Sequence, residues 1–120
     1  MAAPGHDSTA VSDNAIRRRF ELQLTGGTAF LDYYYRDGGS DDGAPTGHAG
    51  RVRVLAHAEV PVALRGAGVG ARLVGGALEL VRARGQKVVP SCPYVAQFIR
   101  RHAQYADLVA PAPAPRPGAP

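Results

Sequence analysis

The stretch Arg65-Gly66-Ala67-Gly68-Val69-Gly70 contains three glycines, and an amphipathic helix is predicted to start inside it. Glycine permits backbone conformations that other residues resist, and it lets a ligand approach the backbone amides closely. Gly85 stands where a left-handed C-terminal cap belongs, so the helix is expected to end just before it. Its apolar residues fall on one helical face and predict a buried side: Val69, Leu73, Val74, Ala77, Leu78 and Val81.

The start of this helix lacks any capping side chain. No Ser, Thr, Asp, Asn or Glu lies between Arg65 and Val74. The first amides of a helix still need partners, and the N-terminal end carries about half a positive charge. Together with Arg65 and Arg72, these amides predict a socket for an anion, most plausibly phosphate.

Two common phosphate-binding loops do not fit the stretch. A P-loop ends in Gly-Lys-Ser/Thr, which is absent here. A dinucleotide fingerprint needs G-x-G-x-x-G directly after a strand, whereas Pro61 interrupts the approach and the spacing is G-x-G-x-G. The remaining pattern, Arg-x-x-Gly-x-Gly, resembles the acyl-CoA pyrophosphate loop of the GCN5-related N-acetyltransferases. A plain tight turn before a helix is the alternative.

Composition limits the class of protein but not its ligand. The 120 residues suffice for one domain with one modest core. A net charge of +4 suits anionic ligands in general. Cys92 is the only cysteine, which excludes an internal disulfide and a cysteine-based zinc site, and no metal is expected. Without a signal peptide or membrane-spanning run, a cytoplasmic protein is expected.

Residue patterns along the chain predict an α/β (α+β) fold with a mostly antiparallel sheet. Residues 1–13 and the Ala/Pro-rich residues 110–120 are expected to be disordered tails flanking a domain at 14–109. Residues 37–50 are expected to form a solvated loop. On the third strand, Leu55, His57 and Glu59 are predicted to share a face. The predicted order is three strands near 16–25, 28–36 and 51–60, the glycine-led helix, a strand at 87–89 and a helix at 94–102.

Four separated segments resemble one family in order and spacing, the small YjdJ-type group of GCN5-related N-acetyltransferases. The segments are His57-Ala-Glu59-Val-Pro61, Leu64 to Gly70, Lys87 to Val95, and Ile99 to Leu108. Ala67, where the family usually has a polar residue, and the long 37–50 loop depart from the pattern. The resemblance implies a minimal fold in which two parallel strands splay apart around acetyl-CoA.

The resemblance also implies where acetyl-CoA, the acetyl donor, would lie. Its pyrophosphate would rest on amides of Arg65, Gly66, Ala67, Gly68, Val69 and Gly70, with Arg72 nearby. The backbone from Glu59 to Val62, including Val60, would hold the pantetheine arm. A cleft beyond strand ends, with a helix N-terminus at its mouth, is physically suited to such a ligand.

Acetyl transfer to an amine needs a proton acceptor, oxyanion donors and a proton for the departing thiolate. Glu59 is the first candidate for the proton acceptor, and His57 is the second; both have structural alternatives. Backbone amides near Val60 to Val62 are candidate oxyanion donors. Cys92 is either a residue of the acetyl pocket, even a nucleophile, or a small buried hydrophobe. Tyr94 either protonates the thiolate or packs its ring.

The leading hypothesis is an N-acetyltransferase with an unknown amine acceptor, either a small molecule or a protein. The alternative is an acyl-CoA-binding module with weak or no catalysis. Nucleic-acid binding is disfavoured, because the arginines are dispersed without an aromatic-basic pattern. A monomer or weak homodimer is expected, without a membrane partner.

Overall fold

The structure, a computed structural model, describes residues 10–38 and 50–111. One five-stranded sheet runs in the order β1-β2-β3-β4-β5. Neighbouring strands are antiparallel except for β4 and β5, which are parallel. The predicted fold class is therefore confirmed. The strands are β1 (Ser12–Asn14), β2 (Arg19–Leu24), β3 (Gly27–Tyr35), β4 (Val52–Glu59) and β5 (Lys87–Pro90); the helices are α1 (Val69–Ala83) and α2 (Pro93–Arg101), with 3₁₀ segments at Val62–Leu64 and Ala103–Leu108.

Helix α1 has the predicted bounds and the predicted buried face. All six apolar residues of that face are buried, and Gly85 has a φ of 68° just past the helix end. A fully buried Val or Leu contributes about 1.5–3 kcal/mol, so this face is a large part of the core. The buried residues of α2 join the same core; they are Val95, Phe98 and Ile99.

The first strand begins at Ser12, two residues before the predicted start of the domain at residue 14. Val11 packs against the core, and a Cβ on Gly76 would collide with a Val11 methyl carbon. Strand β1 follows at once, so the packed domain begins before residue 14. Ile16, predicted to open the next strand, lies instead in the turn between β1 and β2 with 95% of its surface exposed. Most of the 37–50 loop and of both tails lies outside the described residues.

A buried arginine holds this early strand in place. Arg53 is fully buried on β4, and its Nη1 lies 2.7 Å from the Asp13 carboxylate. Its Nε donates to Gln86, and the Tyr33 hydroxyl donates to the other oxygen of Asp13. Burial, with the adjacent Asp13 carboxylate, raises the pKa of Tyr33 well above its usual range. The buried charge of Arg53 is therefore both paired and hydrogen-bonded, as a buried charge must be.

A bulge in β4 changes the direction of its side chains. Tyr33 pairs with Leu55, but the preceding Asp32 pairs with His57, so Ala56 is the extra residue. Leu55 is buried in the core, whereas His57 is exposed. The prediction that Leu55 shares a face with His57 and Glu59 is therefore wrong. A bulge inserts one unpaired residue and redirects the strand beyond it.

Strands β4 and β5 separate where the bulge begins. Their parallel pairing runs from Val52 opposite Lys87 to Leu55 opposite Pro90. The chain then turns away from the sheet, and the Cys92 N–H donates to the Leu55 carbonyl at 2.9 Å. Residues 56–59 of β4 therefore continue without β5 beside them. The predicted splayed parallel pair is present.

Replacing Asp13 with alanine should destabilise the protein strongly. The change leaves the Arg53 charge buried without its carboxylate, and breaking a buried pair in this way costs about 3 kcal/mol. Urea unfolding followed by circular dichroism measures the loss. The control is Asp107→Ala, which breaks the solvent-exposed pair with Arg82 and should cost much less, since exposed pairs are screened. Equal losses for the two variants would contradict the role assigned to Asp13.

Candidate functional site

An open cavity of about 630 Å³ lies where β4 and β5 separate. Three elements wall it: the end of β4, the glycine-led loop with the start of α1, and one side chain of α2. A single concave site with apolar walls and a few polar groups is the usual form of a small-molecule site. The lining residues are His57, Ala58, Glu59, Val60, Leu64, Arg65, Gly66, Gly68, Val69, Gly70 and Tyr94.

The start of α1 offers uncapped amides to this cavity. Gly68 is the N-cap residue with a φ of 76°, no side chain caps the helix, and no acid lies in its first turn. Gly66 also has a positive φ, of 88°. A Cβ on either glycine would meet nothing within 4 Å, so the backbone here faces open space. Free space and the positive, uncapped end of a helix therefore meet at the place where the anion socket is predicted.

Arg65 ties this loop to the end of β4. Its Nε donates to the Val60 carbonyl at 2.9 Å. That bond fixes the loop against the strand and occupies one acceptor of the backbone predicted to hold a pantetheine arm. Arg65 also lines the cavity, and its guanidinium has further N–H donors beyond the one that binds Val60.

His57 and Glu59 stand together on the wall formed by β4. The His57 Nε2 and the Glu59 Oε2 lie 3.8 Å apart, and both side chains are more than half exposed. The bulge places them on the face opposite the core, where Asp32 pairs with His57 and Phe30 pairs with Glu59 across β3. The predicted pair thus shares one wall of the cavity, within reach of a ligand and of water.

Tyr94, the residue of α2 that lines the cavity, accounts for the glycine at position 70. A Cβ added to Gly70 would lie 2.6 Å from the Tyr94 hydroxyl oxygen and 3.0 Å from its Cζ. The Tyr94 ring, carried by α2, therefore rests against the first turn of α1, and a side chain at position 70 would displace it. The local sequence attributes Gly70 only to the close approach of a ligand. Nothing in the residues around Gly70 indicates that Tyr94, 24 positions later in the chain, packs against it.

Four of the predicted site residues do not line the cavity. Cys92 is buried with 7% of its surface exposed, as a small buried hydrophobe would be. Val62, Ala67 and Arg72 are exposed and lie outside the lining. Ala58 and Leu64 line the cavity without having been predicted. Leu64 belongs to the 3₁₀ segment at Val62–Leu64, which the sequence pattern did not reveal, and it also packs against the core.

No three His, Cys, Asp or Glu residues among 10–38 and 50–111 cluster in a way that could hold a metal ion. Within the same residues, no helix has the length and apolarity to cross a bilayer.

Comparison with known proteins agrees with this architecture. None of the curated proteins matches the chain. A family model described as GCN5-related N-acetyl-transferase matches residues 19–108. This range includes β2 to β5, both α-helices and every residue that lines the cavity. The chain therefore belongs to the GCN5-related N-acetyltransferase family.

Proposed function

We propose that the protein transfers an acetyl group from acetyl-CoA to an amine. The observation that carries this proposal is the cavity between separated parallel strands, with uncapped helix amides at one end and Glu59, His57 and Tyr94 on its walls. Family membership supports the reaction class. The YjdJ-type subgroup remains part of the proposal, as do a cytoplasmic location and a monomer or weak homodimer.

The donor would be held mainly by backbone. The amides from Gly66 to Gly70 would receive the pyrophosphate, where positive φ values and open space allow close approach. Arg65 would add a charged donor from the same loop. The unpaired edge of β4 from Ala56 to Glu59 would hydrogen-bond the pantetheine amides. When bound, acetyl-CoA supplies the activated thioester carbonyl.

The acceptor amine would lose its proton to Glu59, directly or through a water. His57 lies 3.8 Å away and can share that proton. As the amine nitrogen forms a bond to the carbonyl carbon, the carbon–sulfur bond breaks and the sulfur leaves as a thiolate. A carboxylate at the rim suits a soluble amine, because the acceptor can enter from solvent.

Two further kinds of group would act on the thioester: an oxyanion donor on its carbonyl oxygen and a proton donor on its sulfur. Pro61 has no N–H and Val62 lies outside the cavity lining, so the oxyanion donor would be the amide of Val60. The Tyr94 hydroxyl lines the same cavity and would protonate the thiolate. Cys92 does not line the cavity, which favours direct attack by the amine over an acetyl-cysteine intermediate.

An acyl-CoA-binding module with little catalysis is the second candidate. The observation in its favour is the exposure of the proposed proton acceptors, 58% for the His57 side chain and 54% for that of Glu59. Proton transfer is more effective in a site that excludes water. For efficient transfer, the acceptor, or a partner that carries it, would have to cover the cavity wall that holds His57 and Glu59.

Gly70→Val should abolish CoA binding. The new side chain would collide with the Tyr94 ring and drive it into the cavity beside the helix amides. Isothermal titration calorimetry with CoA measures the loss. Gly75→Ala, in the same helix, is the matched control, because its Cβ would make an ordinary 3.6 Å contact with Phe98. CoA binding that survives Gly70→Val in a folded protein would remove the phosphate-loop assignment.

Glu59→Gln should lower kcat by about a hundredfold or more while CoA still binds, since general-base catalysis contributes roughly 10²–10⁴-fold. Thiol release from acetyl-CoA, measured over a panel of amines, gives the rates. If no amine stimulates thiol release by the unaltered protein although CoA binds, the binding-module alternative is correct.

Cys92→Ala should retain the transferase activity if the amine attacks directly. Intact-mass measurement of the unaltered protein after exposure to acetyl-CoA should then show no added acetyl group. An acetyl adduct that disappears in Cys92→Ala would overturn direct attack and establish the covalent route.

A further inference from the structure

The outer face of the sheet, opposite the core, extends the wall that holds His57 and Glu59. Alternate residues of β3 are buried in the core, and those between them, Phe30, Asp32 and Tyr34, are not. Asp32 lies directly opposite His57, and Phe30 lies directly opposite Glu59. Residues opposite each other on neighbouring antiparallel strands share a face of the sheet. The wall therefore continues from β4 onto β3, beyond the lining of the cavity itself.

Arg19, the arginine opposite Asp32 on β2, is engaged by a different carboxylate. Its Nε lies 2.6 Å from the Glu21 Oε2, and its guanidinium carbon lies 4.3 Å from the centre of the Phe30 ring. Within residues 10–38 and 50–111, the Asp32 side chain forms no hydrogen bond or ion pair. A partly buried carboxylate without a counter-charge is a favourable place for a cation.

Asp32 and Glu59 are separated by one diagonal step of the sheet. His57 is opposite Asp32, and Glu59 comes two residues after His57 on the same face. Side chains in this diagonal relation have Cβ atoms about 7 Å apart. In the described part of the chain, neither carboxylate pairs with a lysine or an arginine, since the ionic neighbour of Glu59 is His57. Although the chain has a net charge of +4, this wall is therefore negative and attracts cations.

We propose that the acceptor is a primary amine with a second positive charge about 7 Å from the reacting nitrogen, the spacing of the two carboxylates. Asp32 binds the second cationic group while the reacting amine lies at Glu59. The inference rests on the proposed function, since it names the acceptor class of the same site. An acceptor lying along this wall would also cover His57 and Glu59, whose side chains are more than half exposed without it.

Two sources can supply this pair of charges. One is a linear diamine. The other is a peptide in which a basic residue follows lysine at the second position, because side chains two residues apart on an extended chain share a face and lie about 7 Å apart. Each source has a matched control that lacks only the second charge or its side chain.

The first test measures thiol release from saturating acetyl-CoA with two pairs of acceptors. One pair is cadaverine and pentylamine, which differ in a single terminal ammonium group. The other is a blocked Lys-Ala-Arg peptide and a blocked Lys-Ala-Ala peptide. In at least one pair, kcat/KM per reacting amino group should be about fivefold or more higher for the dicationic member, the effect of a charge-assisted hydrogen bond at a partly exposed carboxylate. The pair that shows this preference identifies the source.

Asp32→Asn should remove the preference. The substitution keeps the size of the side chain and removes its charge, so KM should rise for the dicationic acceptor and stay unchanged for the monocationic one. Asp107→Asn is the matched control, because it makes the same charge change at an exposed carboxylate that pairs with Arg82 outside the cavity lining. This control should retain the preference.

The outcomes separate the inference from the proposed function. Transfer without a preference for the dicationic member of either pair would overturn the inference and leave the proposed function standing. A preference that persists in Asp32→Asn, or that Asp107→Asn loses equally, would overturn the role of Asp32. If Asp32→Asn slows both members of a pair by the same factor, Asp32 supports His57 or the fold, and the inference is wrong. Absence of transfer to any amine would overturn the proposed function itself.

Discussion

The separation of β4 from β5 is the constraint on which the site depends. Backbone N–H and C=O groups need partners, and a strand edge inside a fold normally finds them on its neighbour. Here the pairing of β4 with β5 stops at Leu55 and Pro90, and the Cys92 N–H donates a hydrogen bond to the Leu55 carbonyl. The β4 backbone beyond that point faces the cavity. A ligand with its own amides can complete the edge, as an added strand would.

The bulge at Ala56 and the start of α1 then place different chemistry on the two sides of that gap. The bulge turns His57 and Glu59 away from the core. The uncapped turn at Gly68 lines the same space. Neither feature alone specifies a reaction, since bulges and glycine turns are common. Their meeting around one cavity, in a chain of this family, gives the proposed transfer its physical basis.

Sequence reasoning predicted the elements whose signals are local. The apolar face of α1, its missing cap and its end before Gly85 all follow from a period of 3.6 residues and from backbone chemistry. Long-range features escaped it. Arg53 reads as an exposed strand residue until Asp13, 40 positions away, is placed beside it. The bulge depends on strand register, and the Gly70–Tyr94 contact depends on how two helices meet. None of these leaves a signature in its own neighbourhood.

The most direct measurement is an ¹⁵N-resolved NMR titration of the protein with CoA. The account predicts that the largest amide shifts occur from Gly66 to Gly70, with smaller ones along Ala56 to Val60. Amides of Arg36 and Gly38, which lie beside the opposite end of β4 and outside the cavity lining, should not move. Saturable shifts located elsewhere, with the glycine amides unmoved, would contradict the central claim that the helix start binds the diphosphate.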